Sequence, residues 1–368
     1  MPEPLKNVYN ESFFESFLQT LTKVYSPLDK RQFLTDIYTD DWPEKELKQR
    51  MYHISATLFN HLPKDFEVAT AILVKVSQLL KTKEESTSFE HMFLPDYIEK
   101  YGLNHYDTSI KAMEEITKFT SCEFAVRPFI IKYQDKMLSQ LLSWSQHEHL
   151  MVRRLASEGS RPRLPWAIAL PEFKKDPLSI IPILENLKND PSEMVRRSVA
   201  NNLNDISKDN PSIVTSLVKK WKGKSIETDK LVKHASRTLL KEGNNKIMQL
   251  FGFGDIQDIE ISNFQILTPK VKIGKSLEFS FELRNRSKKV SKIRLEYGIY
   301  YQKANKSLSR KVFKISEKEY LTNSISKINR KQPFRVITTR KLYYGHHQVS
   351  LIINGKEVDK LDFTLQKP

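Results

Sequence analysis

Val195-Arg196-Arg197-Ser198-Val199-Ala200-Asn201-Asn202-Leu203-Asn204-Asp205-Ile206 is the stretch on which the fold of this chain turns. Its apolar residues Val195, Val199, Leu203 and Ile206 recur at three- and four-residue spacing, the period of a helix buried along one side. Arg197, Asn201 and Asp205 follow one another at i, i+4 on a different face. One helix therefore carries both a packing stripe and a polar stripe. Taken alone, that polar stripe is most simply a solvated face.

Val126-Arg127-Pro128-Phe129, Val152-Arg153-Arg154-Leu155 and Val232-Lys233-His234-Ala235 open in the same way, and successive starts in the series are 26, 43 and 37 residues apart. Segments such as Ile180-Ile181-Pro182-Ile183-Leu184 supply a second helix between them. Helix pairs at roughly 40-residue spacing stack into curved, HEAT-like arrays with a concave binding face. Upstream, Phe13, Phe14, Phe17, Leu18 and Leu21, then Met51, Ile54, Leu58 and Phe59, then Ala69, Ile72, Leu73, Val76 and Leu79 keep the helical period.

Beyond Phe251-Gly252-Phe253-Gly254-Asp255 the period changes to alternation, as in Leu277-Glu278-Phe279-Ser280-Phe281-Glu282-Leu283 and Val349-Ser350-Leu351-Ile352-Ile353, with Asn354-Gly355 as a hairpin turn. The expectation is a mainly α protein: a HEAT-like α-helical solenoid followed by a small all-β immunoglobulin-like sandwich. Residues 1–118 form its N-terminal helical region, 119–252 the repeats that carry the active site, and 253–368 the sandwich.

Charge sorts the same three parts. Residues 1–118 hold 14 Lys and Arg against 19 Asp and Glu, residues 119–255 hold 22 against 15, and residues 256–368 hold 24 against 10. An acidic head followed by two basic segments points those segments at a polyanion. The single cysteine, Cys122, excludes an intrachain disulfide framework and fits a reducing compartment. Met1 to Tyr9 lacks a signal-peptide core, and no apolar run reaches the roughly 18 residues of a membrane span. The expected location is the cytoplasm, at the nucleoid of a bacterial-type cell, with no membrane partner.

Ala156-Ser157-Glu158-Gly159-Ser160-Arg161-Pro162-Arg163-Leu164-Pro165-Trp166 concentrates the chemistry. Two prolines exclude regular structure there. Gly159 reads as a left-handed helix stop, which leaves Glu158 facing the negative end of the helix dipole, a placement usually disfavoured. Arg154 and Arg161 offset that cost. Trp166, in an arginine-rich loop, offers a stacking face, against a core role of equal weight. Thr120-Ser121-Cys122-Glu123 has the form of a capping box, a reading favoured over catalysis for Glu123 alone. Lys233, Arg237 and Lys241 form a basic i, i+4 ladder suited to phosphates or to plain solvation. His147-Glu148-His149 lacks the spacing of a zinc site, and no serine elbow or Walker loop is present; no metal or cofactor is expected.

These segments, Phe119-Thr120-Ser121-Cys122-Glu123-Phe124-Ala125-Val126-Arg127-Pro128-Phe129, Val152 to Trp166 and Val195 to Ile206, together with Leu94-Pro95-Asp96-Tyr97-Ile98-Glu99-Lys100-Tyr101-Gly102, resemble the AlkC branch of the AlkC/AlkD DNA alkylation-repair glycosylases. The resemblance covers roughly residues 1–255. By domain order it implies that the sandwich is the immunoglobulin-like domain of some AlkC proteins. It further implies excision of cationic methylated bases from duplex DNA, chiefly 3-methyladenine with 3-methylcytosine a second candidate. Glu123, Glu158, Asp205 and Trp166 would surround the lesion. Arg154, Arg161, Arg163, Arg197, Asn201, Lys233, Arg237 and Lys241 would bind the DNA, and the protein would act as a monomer. A non-catalytic HEAT-repeat scaffold for nucleic acid or protein is the alternative. A carbohydrate glycosidase is third, disfavoured by the basic surface.

Overall fold

The computed structural model describes residues 3–81, 88–336 and 341–367. The chain divides into two compact units, one of Met1–Val214 with Lys220–Ala235, the other of Thr215–Lys219 with Ser236–Pro368.

The first unit is helical: α1 Glu11–Val24, α2 Lys30–Ile37, α3 Leu47–His61, α4 Phe66–Leu80, α5 Phe93–Tyr101, α6 Tyr106–Ile116, α7 Val126–Lys132, α8 Gln134–Trp144, α9 Leu150–Gly159, α10 Pro171–Lys175, α11 Ile181–Leu187 and α12 Glu193–Ile206. Then come α13 Pro211–Trp221, whose middle belongs to the second unit, and α14 Ile226–Ala235. Asn10, Asp29 and Asp65 cap the starts of α1, α2 and α4 by accepting from backbone N–H groups two or three residues on. His149 does the same for α9 through Nδ1, which accounts for one histidine of the His147-Glu148-His149 triplet.

The repeat series lands on helices, at or near the start of the first three but in the last turn of the fourth. The motifs at Val126, Val152, Val195 and Val232 sit on α7, α9, α12 and α14, and α8 and α11 lie between them in sequence. α9 packs against α12, and α12 against α14. Val195, Val199, Leu203 and Ile206 are all buried, as their spacing requires. Phe129, Val152, Leu155 and Val232 are buried on the neighbouring inner helices.

Two local expectations fail. Gly159 is helical, the last residue of α9, and does not adopt positive φ. It is glycine because a Cβ there would lie 2.6 Å from Val126 Cγ1, so its absence lets α9 press against α7. The capping box does not form either. α7 begins at Val126, the Thr120 hydroxyl has no partner among the described residues, and Ser121 Oγ donates to Glu123 Oε2 instead.

The second unit holds α15 Arg237–Lys241, α16 Asn245–Leu250 and eight strands: β1 Ile259–Ile266, β2 Lys270–Lys272, β3 Ser276–Asn285, β4 Ser291–Gln302, β5 Leu308–Tyr320, β6 Ile325–Pro333, β7 Gly345–Ile353 and β8 Lys356–Gln366. They form a three-stranded sheet ordered β1-β3-β6 and a five-stranded sheet ordered β2-β8-β7-β4-β5. Alternate residues of β3 (Leu277, Phe279, Phe281, Leu283) meet Ile293, Leu295, Tyr297, Val349 and Leu351 in one core, the arrangement of a two-sheet sandwich. Asn354 and Gly355, with φ of 47° and 81°, make the β7–β8 turn. A Cβ on Gly243 would lie 2.5 Å from the Gly355 carbonyl oxygen, so the loop between α15 and α16 touches this turn. The last two helices thus belong to the same compact unit as the sandwich, upstream of the composition change at residue 253.

A candidate active site built on buried carboxylate and arginine pairs

α9 delivers Glu158 at its last turn, and the chain then turns sharply so that Arg161 folds back under it. Arg161 Nη1 donates to Glu158 Oε1 at 2.6 Å. Its Nε and Nη2 both reach Asp205 Oδ2 at 2.8 Å, from the end of α12. One guanidinium therefore holds two carboxylates from different helices, using three of its five N–H donors. All three groups are out of water, with 5%, 7% and 2% of Glu158, Arg161 and Asp205 exposed. Burial works against the charge on Arg161, but the two carboxylates outweigh it and hold its pKa above the ordinary guanidinium value.

The remaining carboxylate oxygens are also used. Ser198 Oγ, on α12, donates to Glu158 Oε2 at 2.6 Å, and Lys208 Nζ reaches Asp205 Oδ1 at 2.9 Å. The polar stripe read on α12 runs from exposed Arg197 through half-buried Asn201 to buried Asp205. It is a solvated face at one end and a buried charge at the other. Asn202, on the same helix, donates to the Ser157 carbonyl at 2.8 Å and ties α12 to α9 at this depth.

Glu123 stands in the turn before α7, where Arg154 Nη1 meets its Oε2 at 2.8 Å. Arg154 also donates to Ser121 Oγ. Arg154 and Glu158 are one turn apart on α9, so this helix carries one member of the Glu123–Arg154 pair and one of the Glu158–Arg161–Asp205 cluster. Both members of the Glu123–Arg154 pair are partly exposed.

Arg127 is the residue that sequence reading passed over. It is fully buried, and its Nε donates to the Ile168 carbonyl at 2.6 Å while Nη1 donates to the carbonyls of Gly159 and Arg161 at 3.0 and 2.7 Å. It thereby clamps both ends of the loop that carries Arg161 and Trp166. Burial, reinforced by the neighbouring Arg161 charge, pulls its pKa down to about 10. Its motif marked it as the second residue of a repeat, but nothing local distinguishes a clamp from a surface arginine.

Trp166 is 65% exposed, and a core role is excluded. Its φ of 67° lies in the left-handed region, which costs a residue with a Cβ roughly 1–2 kcal/mol. Lys48 Nζ, from α3, donates to the Trp166 carbonyl at 2.8 Å and holds the loop there. A strained, exposed tryptophan in the loop that carries Arg161 is a feature that packing alone does not ask for.

The other arginines sort differently from the sequence expectation. Arg161 is turned inward to the acids, not outward to a phosphate. Arg163 makes a two-pronged pair with Asp209, at 3.0 and 2.6 Å, on the surface. Arg197 lines a groove with Arg196, Lys230 and His234, and the last of these meets Asn201 Oδ1 at 3.0 Å. The expected basic ladder is interrupted: Lys233 belongs to α14, while Arg237 and Lys241 belong to α15, with Ser236 between the two helices.

Comparison with known proteins bears on this geometry. Residues 43–247, which include every acid and arginine of the site, match the family model for DNA alkylation repair enzyme. Residues 260–367 match that for the C-terminal Ig-like domain of the uncharacterised protein YhaZ. "Uncharacterized protein YhaZ" of Bacillus subtilis (strain 168) is 43% identical over 359 residues, 98% of each chain. The solved structure of Pseudomonas fluorescens alkylpurine DNA glycosylase AlkC, bound to DNA containing an abasic site analog, is 34% identical with a TM-score of 0.92 and covers 99% of this chain and 100% of that one. No helix among the described residues is long and apolar enough to cross a membrane. The chain belongs to the DNA alkylation repair enzyme family, in its AlkC-type branch with a C-terminal immunoglobulin-like domain.

Proposed function

We propose that this protein is a monomeric DNA glycosylase that removes cationic N-alkylated bases, chiefly 3-methyladenine, from duplex DNA by hydrolysing the N-glycosidic bond. The observation that carries the proposal is the Glu158–Arg161–Asp205 cluster. Two carboxylates are held buried at fixed positions by one buried guanidinium, and the second cation at Asp205, Lys208, is part-exposed and free to exchange its contact for a phosphate.

A base alkylated on a ring nitrogen is already positive. When the bond from C1′ to its nitrogen breaks, the electron pair leaves with the base and neutralises it, so protonation of the leaving group is unnecessary. Positive charge then builds on the deoxyribose. Water adds to C1′, and its proton passes to a carboxylate or to solvent. The site's task is to stabilise the sugar cation and to orient that water. At about 4 Å and an effective dielectric near 20, one fixed unit charge is worth on the order of 4 kcal/mol, roughly a thousandfold in rate.

In this reading Glu158 and Asp205 face the sugar, with Arg161 as a positioning residue that holds both acids. Ser198 fixes the Glu158 rotamer. Glu123, with its partner Arg154 partly exposed, gains net negative charge when Arg154 turns to a phosphate. Trp166 contacts the deoxyribose or base, and Arg163, Arg197, Asn201 and the lysines of α14 and α15 serve the backbone. The basic sandwich contributes to affinity through phosphate contacts. The reaction is complete with water and these side chains.

The test is chromatography of bases released from methylated duplex DNA by purified protein. Free 3-methyladenine is the expected product. Release of no base at enzyme excess, with duplex binding intact, would favour the non-catalytic scaffold.

A further inference from the structure

A shallow cleft, partly open to solvent, lies between α3, α5, the turn that carries Ser121 and the Trp166 loop. It shares Ser121 with the acid site, the hydroxyl that bonds both Glu123 and Arg154, and Trp166 lines it from the loop that also carries Arg161. Its walls include three aromatic rings, Tyr52, Phe124 and Trp166. Its polar lining is uneven. Lys48 is committed to the Trp166 carbonyl, and buried Asp96 is paired with Lys100 at 3.1 Å. The Glu99 carboxyl has no hydrogen bond or ion pair among the described residues. It is half-buried and lines the cleft, so its hydrogen-bonding capacity is left to water or to a ligand.

Resting on the glycosylase reading, we infer that this cleft is a holding site for the free excised base, in which the aromatic walls flank the flat ring and Glu99 pairs with its amidine edge. That edge, ring nitrogen N1 beside the exocyclic amino group, is left free in 3-methyladenine, whose methyl sits on N3, and presents one acceptor and one donor about a carboxyl's width apart; in 3-methylcytosine the methyl occupies the corresponding ring nitrogen and blocks it. A protonated carboxyl donates to the ring nitrogen and accepts from the amino group. A carboxylate accepts from both when the ring nitrogen carries a proton. Burial, with the Asp96 charge next, pushes Glu99 up to about 7, so both forms are present near neutrality. The Lys48 and Lys100 charges act in the opposite direction and are outweighed. The cleft gives a base displaced from C1′ a place beside the site, one that discriminates by hydrogen bonding where the acids discriminate only by charge.

The experiment uses the full-length protein and free 3-methyladenine as the probe, in two readouts. Calorimetric titration of the protein alone measures binding of the free base, and added free base is tested as an inhibitor of release from methylated duplex DNA. The wild type is expected to bind the base and to be inhibited by it. Glu99→Ala should raise both constants at least tenfold, and Glu99→Gln, whose amide keeps one donor and one acceptor, should recover most of that loss. Thermal unfolding of each variant establishes that it is folded. A wild type that releases base from DNA but neither binds nor is inhibited by the free base overturns this inference and leaves the glycosylase reading standing. Equal inhibition of wild type and Glu99→Ala overturns it as well. Loss of single-turnover release in Glu99→Ala does the same by moving the residue into bond breaking. Failure of the wild type to release any base overturns the proposed function instead, and the calorimetric result is read independently of it.

Discussion

Replacing Arg161 by Ala asks whether this arginine is a phosphate ligand, as its loop suggests, or the clasp of two acids, as its position suggests. The substitution deletes three N–H donors, at 2.6 Å to Glu158 and at 2.8 Å twice to Asp205, and leaves two carboxylates buried. Removing one partner from a buried ion pair typically costs about 3–5 kcal/mol. Here Ser198 still serves Glu158 and Lys208 still serves Asp205, which places the expected loss near the lower end, about 3 kcal/mol. For a unit of this size that corresponds to a fall in Tm of roughly 6–12 °C, read by circular dichroism at a helical wavelength. Arg161→Lys should lose nearly as much, because one ammonium cannot span both acids in the geometry of a planar fork. Salt titration of DNA binding is the companion measurement. A fall of under about 2 °C, together with a salt slope shallower by about one phosphate contact, would make Arg161 a phosphate ligand and refute the clasp.

Three further outcomes follow from named contacts. Glu99→Gln should stabilise the protein in alkaline solution: the folded pKa of Glu99 is raised, to about 7 from an ordinary 4.5, so the native state binds the extra proton. The stability this residue contributes is present in full below about pH 4.5 and lost as pH rises through 7, by up to about 3 kcal/mol. The difference in Tm between variant and wild type should therefore grow from pH 5 to pH 8, and a constant difference would contradict it. Gly159→Ala forces a methyl to within 2.6 Å of Val126 Cγ1 and should cost about 1–3 kcal/mol, part of which Val126→Ala restores in the double variant; additive losses would argue against that contact. Arg127→Met removes the clamp on three carbonyls and should cost about 3 kcal/mol in unfolding while lowering base release more than DNA affinity.

What the sequence made legible is what has a local period. The apolar stripe of α12 and its counterparts on α7, α9 and α14 predict their own burial, and the change to alternation after residue 253 predicts strands. Glu158 and Asp205 were legible as candidates because a carboxylate near a helix end and one in line with an arginine are locally odd. Their shared partner was not. Arg161 and Asp205 are 44 residues apart, Ser198 and Glu158 40 apart, and local spacing carries no signal at those separations. In a basic protein an arginine beside two prolines reads as a phosphate ligand, and only its burial between α9 and α12 reverses that reading. The capping box failed for a related reason. Thr120 and Glu123 have the right spacing, but Ser121 and Arg154, the latter arriving from α9, take the carboxylate that a cap would have needed. Gly159 reads locally as a backbone-conformation glycine, whereas the close approach of Val126, 33 residues earlier, is what requires it. The left-handed Trp166 had no local sign at all, since Lys48, 118 residues away, helps hold it there.

Single-turnover release of 3-methyladenine, measured beside duplex affinity for wild type, Glu158→Gln and Asp205→Asn, tests the carboxylate mechanism most directly. The account predicts that each variant loses at least a hundredfold in rate while its Kd for DNA changes less than threefold, because the isosteric amides keep the shape and remove the charge. Rates within a few fold of wild type, or rate and affinity falling in parallel, would contradict it.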